Sequence, residues 1–205
     1  MSRMVSSRPT RRHVIALLTL VGALVVPAVA AAAVETFHRL EIVATANYVV
    51  TQTCPDGSTR PLRVTVFGGH EEESESGTNT LDSNFLTVLI RGFDCEGNLI
   101  NDRALGTGEF TYSPSLQTAS VTGTVTSRDG REIVVDVSWE GTGPLEATSN
   151  TTIFPGFTGH FQGMLRQAVA TGTVVVDGET IVDGSTTNAE IESLEDTNIS
   201  TGAGG

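Results

Sequence analysis

The chain has 205 residues, with 24 Asp or Glu against 12 basic residues, every one of them Arg, for a formal charge of −12. So acidic a balance argues against nucleic acid or an anionic membrane as partner, because both require a basic footprint. Charged residues make up 18% and mean hydropathy is near zero, too apolar for a disordered chain; the length suits one domain or two small ones.

Residues 1–33 read as a targeting segment. Arg3, Arg8, Arg11 and Arg12 form a basic stretch free of acids, an apolar run follows from Val14 to Val26, and Pro27 leads into Ala28-Val29-Ala30. That order describes a secretory signal peptide cleaved after Ala30 or Ala33. The apolar run is shorter than the roughly 20 residues of a membrane-spanning helix, so no membrane span is expected after cleavage. Thr10-Arg11-Arg12-His13-Val14-Ile15 resembles a twin-arginine export signal, with Ala16 where that pattern carries Lys; export of the unfolded chain by the general route is the alternative. The expected location is extracellular. Eight Arg and all 24 acids remain beyond residue 33, a formal charge of about −16 that keeps a secreted protein soluble.

From Val34 onward the hydrophobic period is two. Strands are expected near 38–53, 60–68, 84–94, 99–112, 116–127, 131–140, 145–153, 165–176 and 179–182, with 162–170 also readable as a short helix. Glu132–Glu140 is the clearest case: Ile133, Val135, Val137 and Trp139 alternate with Asp136, Ser138 and Glu140, as in a strand buried on one face. Thr118–Thr126 sets Ala119, Val121 and Val125 against a row of Thr and Ser, residues suited to the wet face of a sheet. Turn signals divide the runs at Pro55-Asp56-Gly57, Glu96-Gly97-Asn98, Asp129-Gly130, Asp177-Gly178 and Asp183-Gly184. Val121-Thr-Gly-Thr-Val125 before Asp129-Gly130 matches Ala170-Thr-Gly-Thr-Val174 before Asp177-Gly178, one hairpin solution used twice.

The expected fold is therefore all-β, an antiparallel meander of about eight or nine strands over residues 34–184. Closure as an up-and-down barrel is the first expectation and a two-sheet β-sandwich the alternative. Residues 185–205 lose periodicity and read as a flexible polar tail. A barrel of this kind is similar to lipocalin-like barrels in fold alone; their N-terminal Gly-x-Trp signature is missing here, and fold does not carry function.

Export implies an oxidising compartment, and the chain has two cysteines. Cys54 follows the first expected strand and Cys95 the third; alternate strands of a meander run the same way, so both cysteines reach one end of the sheet. Their pairing is expected, closing a loop of about 41 residues. A metal-binding or reactive thiol pair is the alternative, without a C-x-x-C or a Cys/His cluster to support it.

Catalytic signatures are absent. There is no G-x-S-x-G, no G-x-x-x-x-G-K-[ST] and no G-x-G-x-x-G; Gly106-Thr107-Gly108 and Gly141-Thr142-Gly143 each lack the third Gly. His70-Glu71-Glu72-Glu73-Ser74 has Ser where a zinc protease needs its second His. The acidic stretch 70–75 reads as a solvated loop between the second and third strands, with Ca²⁺ binding as the alternative. No metal or other cofactor is expected. A carboxylate pair for glycoside hydrolysis has no spacing to single it out.

The one segment with site-like chemistry is 153–161. Phe154, Phe157 and Phe161 supply apolar area, Gly156 and Gly159 free the backbone, and His160 is the polar handle of a loop expected to meet an apolar or sugar ligand. The competing reading makes these Phe residues plugs for one end of the core. Three functions stay open: a non-catalytic domain binding a small apolar ligand or glycan, a structural or cell-surface interaction protein, and a hydrolase or isomerase with a carboxylate site. A closed barrel with a wide apolar cavity would favour the first; a filled core with flat polar faces would favour the second.

Overall fold

The computed structural model describes residues 34–201. The expected signal peptide lies outside the described residues. Each expected strand has a counterpart, except that 99–112 is broken at Thr107-Gly108 into two strands at opposite ends of the sheet order; the described chain is all-β and antiparallel. The elements are β1 (Val34–Thr53), β2 (Thr59–Glu75), β3 (Thr78–Phe93), β4 (Leu99–Gly106), β5 (Glu109–Tyr112), β6 (Thr118–Thr126), β7 (Glu132–Gly141), β8 (Glu146–Phe154), β9 (Phe157–Val176) and β10 (Glu179–Thr201). Residues 162–170, readable as helix, lie within β9.

The sheet order is β4-β3-β2-β1-β10-β9-β7-β6-β5, with β8 paired to β9. Read as a ring, this is the sequential meander with β10 laid against β1. The ladder is open at one seam, between β4 and β6. There the pairing of Ala104 with Ser127 stands alone, although it continues the β5–β6 register that pairs Glu109 with Thr122. Up-and-down order is present, and hydrogen-bonded closure is not.

Turn chemistry follows the sequence. Asp177 and Gly178 both take positive φ, 51° and 84°, as a tight β9–β10 hairpin requires. In the β1–β2 turn, Asp56 accepts from both the hydroxyl and the backbone N–H of Ser58, which holds its carboxyl below the usual range. Asp94 does the same in the β3–β4 turn, accepting from the side chain and backbone N–H of Asn98. These two turns carry the cysteines. Cys54 and Cys95 form a disulfide, with Cα atoms 5.4 Å apart, so the pairing expected from strand direction is present.

Two expectations fail. The polar tail 185–205 is strand as far as Thr201: β10 continues beside β1 from Ala46↔Ala189 to Val34↔Thr201. The sequence carried a period only at Ala189, Ile191 and Ser193, which alternate as buried residues; from Leu194 to Thr201 no residue is buried and the period is lost. Asp183-Gly184 does not turn the chain; it pairs with Thr173 and Gly172 inside β10, which shifts register further on, between Thr186 and Ala189.

The core lies in the part of the sheet that curls round. Leu86, Val64, Val66 and Val88 of β2 and β3 meet Val121, Ile133, Val135, Val137 and Trp139 of β6 and β7, with Val174 and Ile191 from β9 and β10. Trp139 pairs with Ala170 and donates its indole N–H to the Thr45 carbonyl of β1 at 2.9 Å. Ala44, Ala46, Ala168, Ala170 and Ala189 line the intervening strands, so the indole crosses a wall of small residues. The central residues of this interior, Val64, Val66, Val88, Val121 and Val137, are fully buried.

Strand lengths exceed what that core needs. β9 and β10 have 20 and 23 residues, roughly 65–75 Å when extended. β4 joins β3 only from Leu86 onward and β7 joins β9 only from Ala168 onward. Beyond those rows, parts of β3, β2, β1, β10, β9 and β8 form a six-stranded sheet; Ile42 and Ser193 at its base are still buried, whereas Val34–Glu41 and Leu194–Thr201 farther out are all at least partly exposed. There β8 is exposed at every residue.

Candidate functional site: an aromatic face on the projecting sheet

The segment 153–161 is a hairpin rather than a loop. Pro155 and Gly156 turn the chain, Gly156 has φ 78°, and Phe154 pairs with Phe157 across the turn. Alternation then divides the four expected site residues. Phe154, Phe157 and Phe161 lie on one face of the sheet, and His160 lies on the other, where its Nδ1 is 3.0 Å from the Thr151 hydroxyl. His160 is thus no handle for the Phe cluster. The plug reading also fails, because Phe154, Phe157 and Phe161 are 62%, 37% and 40% exposed.

The way these rings are supported is visible in the spacing Phe157-x-Gly159-x-Phe161-x-Gly163. A Cβ added at Gly159 would meet the Phe157 ring at 3.2 Å and the Asn198 side-chain oxygen at 2.9 Å. One at Gly163 would meet the Phe161 ring at 3.5 Å and the Thr148 hydroxyl at 3.0 Å. Each ring therefore leans along its own strand toward the glycine two residues on, leaving part of its surface open. The Phe154 and Phe157 rings are 6.4 Å apart. Polar groups flank them in register: Phe161 lies between Asn150 of β8 and the Asp196 carboxylate of β10, and Gly159 between Thr152 and Asn198. Period-two glycines between aromatics were the sequence signal for this platform; read as backbone freedom, they pointed to a loop.

The acidic stretch is likewise strand, the last third of β2, rather than a solvated loop. Alternation puts Glu71 and Glu73 on the face of the Phe row, where Arg39 of β1 bridges Glu71 and Glu41, with Glu73 3.7 Å from its Nε. That counter-ion lies more than 30 residues upstream, so the run looked uncompensated. Among the described residues no three His, Cys, Asp or Glu converge as a metal site. On the opposite face His38 bonds Glu195 at 3.0 Å, and His70 bonds the Asn84 side chain at 2.9 Å.

Glu192, on the Phe-bearing face, is raised above the ordinary Glu range by burial, with Glu190 and Glu41 adding repulsion. The folded state holds that proton to higher pH than the unfolded chain, so this group's contribution to stability falls as pH rises through that window. Glu192→Gln is expected to raise the melting temperature at pH 7. The gain should vanish below about pH 4, where Glu is protonated in both states; an equal gain at both pH values would refute the assignment.

At the turn end of the core a cleft of about 560 Å³ is walled by Val50, Leu62, Ile90, Ile100, Val176 and Ile181. Of its charged side chains, Arg131 is paired with the buried carboxylate of Asp102 and Asp177 accepts the Glu132 backbone N–H, while Glu179, Gln52 and Thr180 add polar groups to the apolar walls.

No family model matches this chain, and no curated protein matches it. Among solved structures, it is similar to a candidate AttH protein of Nitrosomonas europaea at 15% identity and a TM-score of 0.28. The match covers 82% of this chain and 53% of that one, so the chain spans about half that protein's length. A likeness of that degree assigns neither family nor function.

Proposed function

We propose that this chain is an exported, non-catalytic binding domain that presents the Phe157–Phe161 platform to a neutral saccharide. The supporting observation is the row of open aromatic rings, seated toward glycines and flanked by Asn150 and Thr152 on one side and by Asn198 and Asp196 on the other, on the part of the sheet that projects beyond the buried core. Aromatic surface of this kind stacks on the C–H face of a sugar ring, while Asn150, Thr152 and Asn198 are placed to exchange hydrogen bonds with its hydroxyls. A formal charge of about −16 beyond residue 33 disfavours anionic polymers. The basic, apolar and Ala-x-Ala order of residues 1–33, together with a disulfide suited to an oxidising compartment, supports export.

The test is retention on a panel of insoluble neutral polysaccharides, compared with anionic ones. Phe157→Ala and Phe161→Ala are expected to lose at least tenfold in retention while melting as the wild type does, because truncating a half-exposed ring costs well under the roughly 3–5 kcal/mol of a buried Phe. Absence of retention on every neutral polysaccharide, or retention unchanged in both variants, would sink the reading.

A further inference from the structure

We propose that β8 is the docking edge for a second copy of this chain, the two strands pairing antiparallel about a twofold axis at Asn150. The projecting sheet has two free edges among the described residues. One is β8, which pairs only with β9; the other is the first half of β3, before β4 joins at Leu86. The β3 edge is guarded. Asp82 lies on it, Glu72, Glu73 and Glu75 sit on the neighbouring strand, and the register shifts between Glu73 and Ser74. Charge and irregularity of this kind keep sheet edges from pairing.

Apart from Glu146 at its start, β8 carries none of these protections. From Ala147 to Phe161 the chain has no Asp, Glu or Arg, β8 contains no Pro, and its register with β9 runs unbroken from Glu146 to Phe154. All nine residues are exposed, so burial does not account for a strand here. Elsewhere two copies of so acidic a protein repel one another; along this edge they can approach.

The sequence of β8 also suits pairing with itself. Centred on Asn150, antiparallel pairing sets Ala147 opposite Ile153, Thr148 opposite Thr152, Ser149 opposite Thr151 and Glu146 opposite Phe154. Each residue meets one on its own face of the sheet, and no like charges are opposed. The interface is isologous and closes as a dimer instead of growing into a fibre. A nine-residue edge is small beside a standard protein interface, so the dimer is weak and depends on concentration. Phe161 neighbours Asn150 in register, so the Phe161-bearing strands of the two copies stand three strand spacings apart, roughly 14 Å, on one continuous face.

Sedimentation equilibrium of the exported, disulfide-intact chain tests this independently of saccharide binding. The wild-type mass is expected to rise from monomer toward dimer between micromolar and sub-millimolar protein. Asn150→Lys and Asn150→Asp each place like charges opposite one another on the axis and are expected to remain monomeric, with melting unchanged. Mixing the two variants should restore the dimer as a one-to-one species. A wild type that stays monomeric throughout overturns the proposal, as does dimerisation that survives Asn150→Lys, or a mixture of the two variants that remains monomeric.

Discussion

Trp139→Ala is expected to lower the unfolding free energy by about 3–5 kcal/mol, the range for truncating a large buried aromatic. Trp139 is among the largest fully buried side chains, and its indole N–H reaches across the core to the Thr45 carbonyl. The alanines along its path cannot collapse into the space it leaves, because their backbones are fixed in the β9, β10 and β1 ladders. The cavity term should therefore add fully to the transfer term. Trp139→Phe retains most of the apolar volume but strands the Thr45 acceptor, so it should cost less than alanine yet measurably more than zero. Denaturant titration checks both; an alanine variant within 1 kcal/mol of wild type would mean that the core is looser than its burial implies.

Removing the disulfide comes next in size. Cys54 and Cys95 close a 41-residue loop, for which the chain-entropy relation gives about 4 kcal/mol. The double variant Cys54→Ala, Cys95→Ala should lose that much, and reduction of the wild type should reproduce it. The effect belongs mainly to the unfolded chain, since the bond ties together two turns already ordered by Asp56 and Asp94. A loss below 1 kcal/mol would indicate that the β1–β3 hairpins persist after unfolding.

How much was legible in the sequence depended on burial. Where one face is buried, as in Glu132–Gly141, alternation located the strand to within a residue and placed Trp139 inward. Turn residues located the cysteines at one end of the sheet. In the projecting sheet legibility was uneven: β8, exposed throughout, was located to within a residue, whereas residues 185–201 read as tail and 70–75 as a loop, because polar and acidic side chains outnumber the few buried positions there. The Phe cluster was found by composition, but its geometry was misread. Treating 154–161 as a loop erased the alternation that separates His160 from Phe157 and Phe161.

The pairing of β1 with β10 has a kinetic consequence. The first strand made is bound on one side to β2, close in sequence, and on the other to a strand more than 140 residues away. During synthesis, β1–β4 can form hairpin by hairpin, bringing Cys54 and Cys95 together within them. The outer edge of β1 must nevertheless wait until β10 has emerged. Non-local pairing of this kind makes the final step slow, because loop-closure entropy is spent before the contacts form. An unpaired β1, with Ile42, Ala44, Ala46 and Tyr48 of its core face uncovered, is the species most exposed to misassembly in the interval. Folding of this chain is thus gated by its last strand, and refolding should show an early phase confined to β1–β4 followed by a slower one in which β10 docks on β1.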